Sequence, residues 1–241
     1  MYEALAGFYD KNIGELNYDR MADFLHTVFY KYRNTGNVAE HPIVLDAGCG
    51  TGKCTVKLAD KGFDMIGLDV SPEMLQIASK DAKSRDICWI CQDMTDMDLF
   101  GTVEAVFCMT DTVNHLLTVK ELRGFLKKSS LFTEPGGLLV LDFLTPAYFK
   151  KVIDGNVFYQ EDEKGSIIWE GNVHGKICDY EIVSFSKEKK ELYSRSEEFL
   201  RERLWNGEEI KAEAKKAGYA FIESAGKDPY RKYYIFRKRK K

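Results

Sequence analysis

Val44-Leu45-Asp46-Ala47-Gly48-Cys49-Gly50-Thr51-Gly52 is the stretch of the 241-residue sequence that decides the fold. It begins as a short apolar strand that ends at Asp46, and three glycines at every second position form the turn that follows. Glycine lets the backbone approach a ligand where a Cβ atom would clash, and the next helix begins at the same place with free N–H groups. The stretch therefore predicts a ligand-binding turn between a strand and a helix.

Strands and helices alternate on the C-terminal side of this turn. Short, nearly all-apolar segments recur at residues 43–46, 65–69, 87–91, 105–109 and 138–143. Helical segments separate them, including one that opens at Ser71-Pro72 and one over residues 119–132. Strands of this kind alternating with helices predict an α/β fold, with a parallel sheet covered by helices on both faces.

The rhythm changes after Thr145-Pro146. Residues 166–173, 176–186 and 192–204 alternate between apolar and polar positions, which is typical of antiparallel strands. A helix over residues 208–217 and two terminal strands follow. We therefore predict one α/β domain from residues 1–145 and 205–241, with a helical lid over residues 1–36. Residues 146–204 are predicted to form a small antiparallel β insertion.

Three carboxylates follow strand ends. Asp46 precedes the glycine turn, Asp69 lies seventeen residues beyond Gly52, and Asp93 follows the third strand. Because the carboxyl ends of parallel strands line the ligand crevice, these side chains should converge. Asp69 can accept hydrogen bonds from both hydroxyls of a ribose, and Asp93 can accept one from the amine of adenine. The sequence thus predicts an adenosine-containing ligand.

Asp46 favours one kind of adenosine cofactor over another. A carboxylate beside the glycines would repel the pyrophosphate of a dinucleotide, but it suits the ammonium group of a zwitterion. The spacing GxGxG also differs from the GxGxxG of nicotinamide-binding proteins.

These motifs resemble those of class I S-adenosylmethionine-dependent methyltransferases. The resemblance rests on residues 44–52, Gly67-Leu68-Asp69-Val70-Ser71-Pro72, Gln92-Asp93-Met94 and Pro135-Gly136-Gly137. It implies a Rossmann-like, mostly parallel seven-stranded sheet and S-adenosylmethionine as the cofactor. It also implies transfer of a methyl group to an N or O atom, less often C or S, of a small-molecule acceptor. Phe8-Tyr9-Asp10, Tyr18-Asp19 and residues 110–117 resemble a bacterial small-molecule subgroup with a β-sheet inserted after the fifth strand.

The resemblance also implies roles for individual residues. Cofactor-binding roles fall on Tyr18, Asp46, Gly48, Cys49, Gly50, Asp69, Val70, Met74, Asp93, Met94 and Met109. Acceptor-binding roles fall on Tyr9, Asp111, Asn114 and Arg203, with Tyr9 and Tyr18 on the lid. His115 would face the methyl group as a proton acceptor. No metal-ligand set is predicted.

Composition excludes several classes of partner. The formal net charge is −3, and a nucleic-acid-binding domain would be basic. No apolar run reaches the roughly 20 residues that a membrane helix needs. The N-terminal residues do not resemble a signal peptide, so we expect a cytoplasmic protein whose six cysteines are buried, plain thiols.

Two rival functions and two roles for the insertion stay open. A nicotinamide-dependent oxidoreductase would share the glycine turn and Asp69. A regulatory protein could keep the cofactor pocket without transferring a methyl group. The insertion could shape the acceptor site or form a homodimer surface, and periodicity does not choose between these.

Overall fold

The structure is a computed structural model that describes residues 17–33, 39–82, 85–163, 165–189, 192–226 and 228–240. Tyr9 and the rest of the predicted lid before Asn17 lie outside the described residues, as do residues 34–36.

The main sheet has seven strands in the order β10-β11-β5-β4-β1-β2-β3. The first five strands in the chain run parallel, whereas β11 runs antiparallel to both β5 and β10. This confirms the predicted Rossmann-like sheet. Its strands are β1 (Ile43–Ala47), β2 (Asp64–Asp69), β3 (Cys88–Cys91), β4 (Val103–Cys108), β5 (Thr133–Leu144), β10 (Tyr219–Ala225) and β11 (Arg231–Lys238).

Helices cover both faces of this sheet. They are α1 (Tyr18–Tyr32), α2 (Lys53–Ala59), α3 (Pro72–Ala82), α4 (Val119–Phe132) and α5 (Gly207–Lys216). Alternate residues of β4 point to opposite faces: Val106 packs in the core formed with α4 and α5, and Phe107 in the core formed with α1 and α2. Burial on both faces explains why the parallel strands are almost entirely apolar.

Side-chain caps fix where two helices begin. Thr118 and Glu121 form a capping box at the start of α4, and Asn206 and Glu209 form another at α5. Each box satisfies helix N–H groups that have no partner within the helix. The second box starts α5 directly after the insertion returns to the main sheet.

The insertion between β5 and α5 is a four-stranded antiparallel sheet in the order β6-β7-β8-β9. Its strands are β6 (Asn156–Asp162), β7 (Gly165–His174), β8 (Ile177–Lys187) and β9 (Tyr193–Arg203). The sequence predicts only the last three, because β6 is a mostly exposed edge strand in which apolar and polar residues do not alternate. Two short helical segments, Pro146–Tyr148 and Phe149–Ile153, connect β5 to it.

Two further expectations need correction. β5 begins at Thr133 rather than at 138, because Thr133 already pairs with Val103 before a register shift. All six cysteines are free, but Cys88 and Cys91 are exposed rather than buried, since β3 is the edge strand of the sheet. Among the described residues, no helix is long and apolar enough to span a membrane.

Candidate functional site

A cavity of about 280 Å³ opens at the carboxyl ends of β1, β2 and β4. The structure places all the residues with predicted cofactor roles in its wall: Tyr18, Asp46, Gly48, Cys49, Gly50, Asp69, Val70, Met74, Asp93, Met94 and Met109. His115 also lines it. The strand ends therefore converge at one place, as open parallel sheets require.

The glycine turn after β1 adopts a backbone conformation that other residues rarely reach. Gly48, Gly50 and Gly52 have φ angles of 75°, 54° and 74°. A Cβ atom on Gly48 would lie 2.2 Å from Cγ2 of Thr112, so this position also lacks room for a side chain. The turn is thus held close to the loop that follows β4, and its backbone faces the cavity.

Asp69 at the end of β2 is fixed by two backbone hydrogen bonds. The N–H groups of Gly50 and Ser71 donate to its two carboxylate oxygens at 2.8 Å and 2.9 Å. Each oxygen keeps a second lone pair for a ligand. Asp93, beyond β3, accepts a hydrogen bond from the Thr95 N–H at 2.7 Å. Both carboxylates are therefore oriented before any ligand arrives.

Asp46 is the buried carboxyl of the set. Its Oδ2 accepts a hydrogen bond from the Thr55 hydroxyl at 2.6 Å. Burial, together with the nearby Asp69, raises the pKa of Asp46 to about 6 against the opposing effect of the Thr55 hydrogen bond. A cationic group placed beside Asp46 would favour its ionised form.

His115 links the cavity to the insertion. It ends a short turn over Thr112–His115 after β4, and its Nε2 lies 3.6 Å from Oε1 of Glu202 on β9. Burial lowers the pKa of His115, so the imidazole is neutral at pH 7. The Tyr180 hydroxyl on β8 donates a hydrogen bond to Oε2 of Glu202 at 3.1 Å.

A group of buried charges surrounds this pair. Arg231 on β11 bonds Asp111 at 2.7 Å and Asp142 at 2.6 Å. Asp111, His115 and Glu202 bring ligand atoms within 4.8 Å of one another, close enough to surround a small cationic group. We call Asp111, Asp142, Glu202 and Arg231 the acidic cluster.

The residues present suit S-adenosylmethionine. The backbone of the glycine turn forms part of the cavity wall, and Asp69 and Asp93 offer acceptors for ribose and adenine. Asp46 offers a buried carboxylate to an ammonium group. No phosphate-binding feature is needed to explain any of these positions.

Comparison with known proteins gives the same answer. The sequence pattern of the family described as "Methyltransferase domain" matches residues 44–137. A protein from Geobacillus sp. (strain WCH70) that is named as a methyltransferase is 28% identical over 228 residues, covering 92% of this chain and 90% of its own length. The chain is a class I S-adenosylmethionine-dependent methyltransferase.

Solved structures of such enzymes share its fold. An S-adenosylmethionine-dependent methyltransferase from Clostridium acetobutylicum superposes with a TM-score of 0.88 at 23% identity, covering 99% of both chains. CalS10, an amino pentose methyltransferase from Micromonospora echinaspora, superposes with a TM-score of 0.78 at 22% identity, covering 99% of this chain and 98% of its own. At these identities the likeness establishes the fold alone.

The sequence predicts that Asn114 of this methyltransferase binds the acceptor, but the structure does not place Asn114 in the cavity wall. Its side chain is fully buried, and its amide donates to the carbonyl oxygens of Leu144 and Arg203 at 3.1 Å and 2.9 Å. Its Oδ1 accepts a hydrogen bond from the Leu144 N–H at 2.9 Å. Asn114 therefore ties the loop after β4 to the end of β5 and to the end of the insertion.

Arg203 and Asp111 also lie away from the cavity wall. The Arg203 guanidinium donates to the Leu117 carbonyl at 2.9 Å and stacks over Trp205, with 4.1 Å between its Cζ and the ring centroid. Asp111 is engaged by Arg231, in a loop where both Thr110 and Asp111 have φ near 50°. Both side chains fasten the walls of the site, so a direct contact with the acceptor does not follow for either.

Sequence reasoning missed Glu202 and Tyr180. Tyr180 and Ile182 of β8 face the core of the insertion, and the cross-strand partner of the buried Cys178 is Glu202. A charged residue at an inward-facing position of an amphipathic strand was the available signal. The register needed to recognise it could not be read from the sequence, because alternation within each strand does not fix which residues of β8 and β9 pair.

Proposed function

We propose that this methyltransferase moves a methyl group to the nitrogen of a small-molecule amine, with a hydroxyl oxygen as the second candidate acceptor. The proposal rests on the acidic cluster. It contains three buried carboxyl groups and one guanidinium, and it lies behind His115 at the cavity wall. The positive charge that develops on a neutral amine nitrogen as it takes the methyl group would offset this excess of acidic groups, whereas a hydroxyl oxygen that loses its proton on methylation would leave no such charge.

The neighbouring structures support the same chemistry. One is titled as an amino pentose methyltransferase, and its chain matches this one over nearly the whole length, including the insertion. The insertion reaches the site through Glu202 on β9. We therefore assign the insertion to the acceptor side of the cavity.

The chemistry asked of the chain is placement and proton removal. Bound S-adenosylmethionine supplies an electrophilic methyl group. The cavity holds the acceptor in line with it, and such placement lowers a barrier by roughly 7–11 kcal/mol. The neutral His115 can accept the proton that an amine nitrogen loses, a contribution on the order of 10²–10⁴-fold.

Matched acceptors test the choice of atom. Amino sugars and the corresponding sugars with a hydroxyl at the same position are incubated with the enzyme and labelled S-adenosylmethionine, and products are identified by mass spectrometry. We expect N-methylated products only. Methylation of the hydroxyl compounds alone would move the proposal to oxygen.

Two histidine variants test the role of His115. We expect His115→Ala to lower kcat at least about tenfold, while His174→Ala, which changes an exposed histidine on β7, leaves it unchanged.

If S-adenosylhomocysteine binds and no acceptor of either class is methylated, the regulatory alternative is favoured.

A further inference from the structure

We propose that Glu202 of the insertion is a positioning residue for methyl transfer: it orients the His115 imidazole and supplies the counter-charge when that ring takes up a proton. The inference rests on the proposed function, in which His115 is the proton acceptor. It gives the insertion a role in the chemistry, although none of the described residues of the insertion lines the cavity.

The geometry places Glu202 between two partners. Its side chain is 6% exposed, with Oε2 hydrogen-bonded to Tyr180 and Oε1 3.6 Å from Nε2 of His115. Only His115 of these three lines the cofactor cavity. Glu202 can therefore act on the acceptor only through His115, as the third member of a base–orienter arrangement does.

An apolar residue would suit the packing at this position better. Leu204 and Ile182 are buried in the same part of the insertion core. Burying an ionisable carboxyl there costs free energy unless it is paired. Tyr180 partners one oxygen and leaves the other 3.6 Å from the His115 ring, where a carboxylate favours the protonated imidazole.

The proton balance identifies the active form of the pair. As the amine nitrogen bonds to the methyl carbon, the S–C bond breaks and its electron pair stays on sulfur. The surplus proton on nitrogen then moves to His115. If Glu202 is ionised, the imidazolium is paired with a carboxylate; if Glu202 is protonated, a buried cation lies beside a neutral acid. The pair is therefore competent when Glu202 is ionised and His115 is neutral.

The surroundings of Glu202 set the pH range of this form. Burial and Asp111 raise the pKa of Glu202 to about 8, while the Tyr180 hydroxyl and Arg231 oppose this rise. The ionisable groups that face it from the packed elements are Asp111, His115, Cys178, Tyr148, Tyr180 and Arg231. Transfer should accordingly slow as the pH falls through about 8.

Histidine NMR tests the pairing without any acceptor. The chain has four histidines, so ring signals of labelled protein can be assigned with His115→Gln. After treatment with EDTA, we expect the His115 ring signal to shift with a midpoint near pH 8 in the wild type. The shift should vanish in Glu202→Gln and persist in Glu197→Gln, a matched change of an exposed glutamate on the same strand. A His115 signal that titrates identically in all three proteins would overturn the proposal.

Kinetics provide the second test. With any amine that the wild type methylates, Glu202→Gln should lower kcat about 10–100-fold and leave KM within about twofold. It should also abolish the fall in kcat that the wild type shows as the pH drops through about 8. The acceptor's own pKa appears in both profiles and so is separated from that of Glu202. Equal profiles for the two proteins would overturn the proposal while leaving the proposed function intact. Loss of activity on EDTA treatment that Mg²⁺ restores would overturn it as well.

Tyr180→Phe guards against a purely structural explanation. It removes the hydroxyl that opposes the rise in the pKa of Glu202 and keeps the ring in place. We expect the midpoint near pH 8 to move to higher pH, both in the NMR signal and in kcat. An unchanged midpoint in a folded variant would contradict the role assigned to Glu202.

Discussion

At the scale of single residues, Asp69 has the most fully determined geometry in the cofactor site. Two backbone N–H groups hold its oxygens, one from the glycine turn and one from the start of α3. A carboxylate oriented in this way presents its remaining lone pairs to a ribose at little entropic cost. Its contribution to binding should therefore be large for one side chain.

Replacement of Asp69 by alanine should weaken binding of S-adenosylhomocysteine by about 1–3 kcal/mol, which is the usual loss for charged hydrogen bonds. This corresponds to a dissociation constant about 5–150 times higher. Isothermal titration calorimetry measures it. Asp64→Ala, at the exposed start of the same strand, serves as the control and should bind like the wild type. Equal constants for all three proteins would contradict the ribose assignment.

The residues at strand ends could be predicted from sequence to line the cavity, whereas the positions of Asn114 and Arg203 could not be predicted. Asp46, Asp69 and Asp93 follow apolar strands, and parallel topology alone brings them together. Asn114 and Arg203 carry the same kinds of polar groups, but whether they face a ligand or the backbone depends on how the insertion packs. That packing joins residues far apart in the chain, and local patterns do not encode it.

At the scale of elements, the loop after β4 is joined to the insertion at the side of the cavity that we propose for the acceptor. Asn114 bonds the backbone of Leu144 and Arg203, and the Trp205 indole donates to the carbonyls of Val113 and Leu116 at 3.0 Å each. His115 lies in this same segment. Its position relative to Glu202 thus depends on these bonds.

Asn114→Ala should cost about 2 kcal/mol or more of unfolding free energy, because it leaves buried backbone groups of Leu144 and Arg203 without partners. Urea denaturation measures this loss. Asn156→Ala, which removes one exposed hydrogen bond to the Val152 carbonyl, is the matched control, and we expect a change of about 0.5 kcal/mol or less. A loss no greater than that of the control would show that Asn114 does not hold the junction.

The same scale explains the errors in the predicted elements. Strong apolar runs marked every strand of the parallel sheet. In the edge strand β6 the apolar residues Val157, Phe158 and Tyr159 are consecutive rather than alternating, so the strand has little periodic signal. A homodimer through the insertion stays a prediction, because its partly apolar outer face, with Val157, Tyr159 and Phe199 exposed, does not identify a partner.

At the scale of the whole molecule, the buried acids couple folding to pH. The pKa values of Asp46 and Asp142 are raised to about 6, and that of Glu202 to about 8, chiefly by burial. In the unfolded chain these groups ionise near pH 4. The folded protein therefore holds more protons than the unfolded chain between about pH 4 and 8, so its stability should fall as the pH rises.

His115 opposes this trend below pH 6.5, because its lowered pKa makes the unfolded chain the better proton binder there. Between pH 6.5 and 8, the titration of Glu202 makes the largest contribution to the pH dependence of the unfolding free energy. We expect the cofactor-free protein to lose about 1–2 kcal/mol of unfolding free energy across it. Urea denaturation at several pH values measures this loss, and Glu202→Gln should flatten the curve. A wild-type unfolding free energy that is constant or rises with pH in this window would show that the pKa of Glu202 is not raised.

A crystal structure with S-adenosylhomocysteine bound tests the central claim most directly, since it fixes where the reacting atom lies relative to His115 and Glu202. The account predicts ribose hydroxyls bonded to Asp69, the adenine amine bonded to Asp93, and the sulfur facing the His115 side of the cavity with Glu202 behind the ring. A sulfur directed away from His115, or a ribose that does not contact Asp69, would contradict it.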